Sequence, residues 1–333
     1  MVEFSLLSVR ELAVEFRADT GTVRALDSVS LDLRPGRVLG VVGESGCGKS
    51  VTARAILRIL DRNGSIVAGR VLLDPDTPAE TDLSQLDPES QRMRGVRGAR
   101  VGLIFQEPMS ALSMQYTIGN QLIEAIRAHN DPGKAAAREK AIALLGDAGI
   151  PRPETRIDAY PFQLSGGLRQ RVGIALALAG DPDILIADEP TTALDVTTQA
   201  QILTLLRRLQ QEKNIALMLI THDMGVIAQM ADDVAVMYLG RVVEYAPVGE
   251  LFHAPRHPYT RALLRSVPDL RATPRQRLAT IGGAVPQPNA RPTGCPFHPR
   301  CPEVIPGRCD AAPPAPIPPG AAGASCFRLE DAA

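Results

Sequence analysis

Eight residues, Gly43-Glu44-Ser45-Gly46-Cys47-Gly48-Lys49-Ser50, carry the most legible chemistry in this chain of 333. They fit G-x-x-x-x-G-K-S, a turn whose glycines let successive backbone N–H groups point inward at phosphate oxygens. The apolar run Val38–Val42 precedes them, and a helix from Val51 to Leu60 is expected to follow. The N-terminus of such a helix adds positive potential to the cradle. Lys49 is expected to reach the β- and γ-phosphates of a bound nucleotide, and the Ser50 hydroxyl to ligate magnesium. A glycine-rich turn met by chance would lack the flanking strand and helix.

A second group is Ile184-Leu185-Ile186-Ala187-Asp188-Glu189, an apolar strand that ends in two acids. A carboxylate at a strand's C-terminal end is placed to hold magnesium beside a phosphate loop. Asp188 takes that role, and Glu189, one residue on, can act as general base toward an attacking water. A third group is four cysteines in the last forty residues, Cys295, Cys301, Cys309 and Cys326, spaced C-x5-C-x7-C-x16-C. In a reducing compartment such a set reads as a metal site sooner than as two disulfides. It lacks the close pairs of structural zinc and is not spaced as in a ferredoxin, so the residues by themselves indicate a four-thiolate metal site and no more.

These groups need elements to position them. Alternating patterns across Ser5 to Val38 predict antiparallel strands. Short apolar runs at Val38–Val42, Val101–Phe105, Ile184–Ala187 and Ile215–Ile220, with helical stretches between them, predict a parallel α/β core. Thr117 to Gly149 reads as two helices, with Ile118, Leu122, Ala125 and Ile126 on one face and Ile142 and Leu145 on the second. This block interrupts the alternation as an inserted helical subdomain, about residues 115–165. A hairpin is expected at Val234–Met237 and Val242–Tyr245, turning at Leu239-Gly240-Arg241. The expected boundary falls after Leu251, giving a first domain of 1–251 and a proline-rich appendage of 252–333. The appendage ends in an Ala/Pro tract, Ala311 to Ala324, expected to hold no regular secondary structure.

Bulk properties exclude several classes. Hydrophobic residues make up 45% and charged residues 22%, ordinary for a globular protein. A formal net charge of -1 gives no field to attract nucleic acid. No apolar stretch is long enough to span a bilayer, and Met1 to Arg10 lacks the pattern of a secretion signal. The expected location is the cytosol, with membrane association through partners.

Leu164-Ser165-Gly166-Gly167-Leu168-Arg169-Gln170-Arg171 resembles the signature motif of the ABC ATPases, at that family's spacing before Asp188. Other elements of the family follow in order over about Glu3 to Phe252. Phe16 is similar to the aromatic that stacks on adenine, Gln106 to the Q-loop glutamine that also approaches magnesium, Ala193-Leu194-Asp195 to the D-loop, and His222 to the switch histidine. The resemblance implies an ABC-type P-loop fold, with a mixed sheet core, an antiparallel β subdomain and a helical subdomain. It implies ATP and Mg2+ as cofactors, with Gly43 to Val51 around the phosphates. Ser165, Gly166, Gly167 and Asp195 would close over the nucleotide of a second ATPase chain. Leu168 stands where the family more often has Gln or Met, and Ser113-Met114 where Asn-Pro is usual.

Phe252 to Pro268, with its His-Pro-Tyr-Thr run, resembles the segment after the cassette in dipeptide and oligopeptide permease ATPases, as does Phe105-Gln106-Glu107-Pro108-Met109. Physically this arm reads as a turn and a short helix, Thr260 to Val267, a packing element without chemistry of its own. Gly294 to Cys301 is similar to the C-terminal region of family members that carry a [4Fe-4S] cluster, although Ala324-Ser325 precede Cys326 where a His is frequent. Zinc and free thiols are the alternatives. The implied assembly is a bacterial importer of di- or oligopeptides at the cytoplasmic face of the membrane. It has a heterodimer of ATPase subunits, two transmembrane permease subunits and an extracytoplasmic peptide-binding protein. Nickel and sugar importers share the branch. Non-transport ABC ATPases fit less well, because no heptad coiled coil, second cassette or basic extension is present.

Overall fold

A computed structural model describes residues 4–19, 21–107, 111–130, 132–267 and 281–330. Glu3, Pro108, Met109 and Pro268, which entered the resemblance above, lie outside the described residues. The strands in chain order are β1 (Leu7–Ala18), β2 (Gly21–Leu33), β3 (Val38–Val42), β4 (Gly64–Leu73), β5 (Thr81–Asp82), β6 (Val101–Ile104), β7 (Ile184–Asp188), β8 (Ala216–Ile220), β9 (Asp233–Tyr238), β10 (Arg241–Pro247) and β11 (Gly323–Ala324). The chain divides into two compact units, described in turn.

One unit holds Leu33–Val38 and Leu86–Ile220. Strands β6, β7 and β8 pair in parallel, Val101 opposite Ile184 and Ile184 opposite Ala216. Every residue of β7 and β8 is buried, which is why both read as unbroken apolar runs. Helices α1 (Ile118–Asn130) and α2 (Lys134–Asp147) follow β6. The first buries Ile118, Leu122 and Ile126 as its spacing predicts. The second turns Ala137, Ala141, Leu144 and Leu145 inward, leaving Ile142 half-buried. Helix α3 (Gly166–Ala177) is buried on most sides, and α4 (Val196–Glu212) buries Ile202, Leu203, Leu205, Leu206 and Leu209.

The other unit holds Leu7–Asp32, Leu39–Gln85 and the chain from Thr221 onward. Here β2, β1, β4 and β5 lie side by side in an antiparallel sheet, with Phe16 opposite Gly64 and Leu7 opposite Leu73. A second set joins β3 and β9 in parallel, and β9, β10 and β11 antiparallel. The β9–β10 hairpin turns through Leu239 (φ 43°) and Gly240 (φ 75°), the left-handed pair that a two-residue hairpin loop requires. The expectation that Ala311 to Ala324 is wholly irregular is corrected at its end, where Gly323 and Ala324 pair with Tyr245 and Glu244. Backbone hydrogen bonds to an existing edge make that strand, so no side-chain alternation announces it.

The appendage docks in this unit. Helix α5 (Pro258–Arg265) starts two residues earlier than expected, with Pro258 in its first turn and the His257 side chain accepting from Tyr259 N–H at 3.0 Å. His257 is 1% exposed, and burial holds its imidazole neutral with a pKa near 3. Glu244, fully buried, accepts the backbone N–H groups of Arg256 and His257 at 2.8 and 2.9 Å. Tyr238, Tyr259 and Phe297 form an aromatic trio with ring centroids 4.7 to 5.3 Å apart. Each such ring contributes roughly 1.5–3 kcal/mol on full burial. No helix among the described residues is long and apolar enough to cross a membrane.

Candidate functional site

The sequence-predicted site residues fall in two groups, one in each unit. Gly43–Ser50, Phe16, His222 and the four clustered cysteines lie in the unit that begins with β1; Gln106, Ser165–Gly167, Asp188, Glu189 and Asp195 lie in the other.

The glycine-rich loop leaves β3 and enters a helix, Lys49–Ile56, that starts two residues earlier and ends four earlier than the sequence suggests. Gly43 and Gly48 take positive φ, and neither tolerates a side chain. A Cβ at Gly43 would stand 2.1 Å from the Met237 carbonyl oxygen, and one at Gly48 would stand 2.7 Å from Leu26 Cδ2. Lys49 is 5% exposed; its Nζ donates to the carbonyls of Gly43 at 2.8 Å and Glu44 at 3.2 Å. An ammonium so placed, at the N-terminal end of a helix, suits a polyanionic phosphate group. Cys47 is buried against Lys49, and burial pushes its thiol pKa up, so it packs and does not react. Phe16 is half-buried on β1, its ring over Gly64, where any side chain would collide with it. His222 is exposed, one residue past Thr221, whose N–H donates to the Val41 carbonyl at 3.2 Å.

In the other unit Asp188 ends β7 nearly buried, and Glu189 follows at φ 45°, its N–H donating to the Ile220 carbonyl at 2.9 Å. Gln106, just past β6, donates Nε2 to Glu189 Oε2 at 3.1 Å, and Thr192 donates its hydroxyl to the same oxygen at 2.9 Å. The proposed Q-loop residue thus orients the proposed base. The Thr192 contact escaped sequence reading, although a hydroxyl three residues after an acid is a signal to look for. Ser165 caps α3, accepting from Leu168 N–H at 3.4 Å, and the helix begins at Gly166. Asp195 caps α4, accepting from the N–H and hydroxyl of Thr198, which hold its carboxyl below the usual range. Gly167 approaches Thr198 so closely that a Cβ would stand 2.7 Å from its methyl group. The starts of α3 and α4 are therefore packed together.

All four clustered cysteines are free, and burial pushes the Cys295 thiol up to about 11. Cys309 Sγ accepts from Ile305 N–H at 3.3 Å, and Cys295 and Cys301 pack against the apolar cluster around Phe297. Among the described residues no three Cys, His, Asp or Glu side chains stand together as a ligand set for a metal.

A phosphate loop, an acid-tipped buried strand and a glycine-led helix start on an α/β scaffold define a nucleotide-hydrolysing cassette. The chain belongs to the ABC transporter family, whose sequence profile matches residues 26–192, and it is an ATPase of that family. Residues 243–309 match the C-terminal region of the oligopeptide/dipeptide transporters. The dipeptide transport ATP-binding protein DppD of Escherichia coli K12 is 48% identical over 311 residues, covering 93% of this chain and 92% of that protein. A Bacillus subtilis protein of the same name is 48% identical over 298 residues, covering 89% and 87%. Among solved structures, the dimeric post-hydrolysis ATP-binding cassette MJ0796, bound to ADP and phosphate, aligns with a TM-score of 0.63 and 26% identity, covering 73% of this chain and 98% of that one.

Proposed function

We propose that this chain is one of two ATPase subunits that drive import of di- and oligopeptides. The match over residues 243–309 carries this reading, supported by 48% identity to dipeptide transport ATP-binding proteins over nearly the whole chain. Residues 1–251 form the ATPase domain, with a helical subdomain at about 115–165, and 252–333 form the appendage. Phe16 stacks on the base, Gly43 to Val51 receive the phosphates, and Lys49 neutralises them. Ser50, Gln106 and Asp188 hold Mg2+, which when bound offsets phosphate charge. Glu189 takes the proton of the attacking water, and His222 contacts the γ-phosphate. Ser165, Gly166, Gly167 and Asp195 act on the nucleotide of a second, related ATPase chain, so ATP joins the two and hydrolysis releases them.

The remaining partners are two transmembrane permease subunits and an extracytoplasmic peptide-binding protein, with the chain at the cytoplasmic face of the membrane. Vesicles reconstituted with all partners should accumulate a labelled di- or tripeptide in an ATP-dependent way. Accumulation of nickel or a sugar, with no peptide uptake, would overturn the substrate class.

The four cysteines are proposed to take up a [4Fe-4S] cluster in a structural role, with zinc as the alternative. Support comes from the Gly294 to Cys301 resemblance, from the absence of disulfides among the four, and from the charge that each of Cys295, Cys301 and Cys326 feels from other members of the set. Anaerobically purified chain should contain iron and sulfide and show broad visible absorption, bleached by dithionite and lost in Cys301→Ser. One zinc per chain without iron or sulfide sinks the cluster.

A further inference from the structure

The appendage supplies none of the nucleotide-site residues named above, yet it grips the loop at the centre of that site. Glu44 is the second residue of the Gly43–Ser50 loop, and both its backbone and its side chain are held by residues beyond Phe252. The Tyr259 hydroxyl accepts from Glu44 N–H at 2.9 Å. Arg300 forks onto the carboxylate, Nη1 to Oε2 at 2.7 Å and Nη2 to Oε1 at 3.0 Å. The Arg300 side chain is 3% exposed and that of Glu44 24%, so this is a desolvated, bidentate pair and not a surface contact.

Arg300 is itself fixed. Its Nε donates to the Gly282 carbonyl at 2.9 Å and its Nη1 to the Tyr238 hydroxyl at 3.3 Å, with the guanidinium 5.8 Å from the centre of the Tyr238 ring. A second tie reaches the loop at Cys47. Arg291 pairs with Asp27 at 3.0 Å, Asp27 N–H donates to the Gly240 carbonyl at 2.8 Å, and Gly240 N–H donates to the Cys47 carbonyl at 2.9 Å.

The chemistry of the loop gives these contacts a purpose. A cradle for a triphosphate needs amides and a cation, and a carboxylate at its second position has the wrong sign. Arg300 offsets that charge and directs it. Tyr259 fixes the Gly43–Glu44 peptide through its N–H, and the Gly43 carbonyl of that same peptide is one of the two that hold Lys49. We propose that Arg300 and Tyr259 are positioning residues for nucleotide binding, through which the docked appendage sets the affinity of the Gly43–Ser50 loop for MgATP. This rests on reading that loop as the phosphate-binding loop.

The test measures MgATP affinity of the full chain by calorimetry. Arg300→Ala should bind about tenfold more weakly, because it leaves an unpaired carboxylate beside the phosphates. Tyr259→Phe should lose about threefold through the unpaired Glu44 amide. Adding Glu44→Gln to Arg300→Ala should restore affinity to within about threefold of wild type, since the repelling charge is gone. Unchanged affinity in Arg300→Ala overturns the inference. So does a loss that Glu44→Gln does not rescue, because Arg300 then serves only the fold of the appendage. If Arg300→Ala does not fold, Arg300→Gln, which keeps a donor toward the Gly282 carbonyl, gives the same comparison. Lys49→Ala separates the two levels: if it binds MgATP normally, the phosphate-loop reading fails, and the inference with it.

Discussion

Glu189→Gln should leave MgATP binding near wild type while slowing hydrolysis by about two to four orders of magnitude. The amide keeps the shape of the carboxylate and can still accept from Gln106 Nε2 and the Thr192 hydroxyl, so the surroundings of residue 189 stay in place. What it loses is the capacity to take a proton from water as the bond to phosphorus forms. A rate loss of that size corresponds to about 2.7–5.5 kcal/mol of barrier. In the proposed cycle phosphate release lets two ATPase chains part, so the mutant complex should also stay closed around its nucleotide. Single-turnover phosphate release in the assembled transporter reads the first effect, and near-normal turnover would take Glu189 out of this role.

Lys49→Ala should fail at an earlier step, binding MgATP about one to two orders of magnitude more weakly, the range expected for losing a hydrogen bond to a charged group. Lys49 is buried and its amine rests on the Gly43 and Glu44 carbonyls, so the side chain is already at the mouth of the loop before nucleotide arrives. Removing it deletes a charge and loosens the turn it closes. Equilibrium binding therefore separates the two variants, one normal and one weak, where a steady-state assay would show both as inactive. Wild-type affinity in Lys49→Ala would reject the loop as the phosphate site.

Features written in contiguous residues were the legible ones. The loop Gly43–Ser50, the acid-tipped strand β7 and the capped start of α3 each depend on neighbours within about ten residues. The strand β4 was missed, because Gly64 and Gly69 break its alternation and its pairing with β1 supplies the order that its own pattern lacks. In Gly64 the missing side chain makes room for Phe16, so the residue that weakens the strand signal belongs to the candidate adenine platform. The His-Pro-Tyr-Thr arm, read as inert packing, proved to carry the hydroxyl that meets Glu44. Arg300 and Glu44 are 256 positions apart, and no periodicity reports such a pair.

The two-residue strand β11 closes an otherwise open margin. Without Gly323–Ala324 the backbone of β10 at Glu244 and Tyr245 would lie bare, and Ser325 N–H would no longer meet the Val243 carbonyl at 2.9 Å. A row of unpaired amides and carbonyls is a template on which another chain can build. The tail of the appendage thus covers that edge, and a chain shortened before Ala311 should associate edge to edge more readily than the full one.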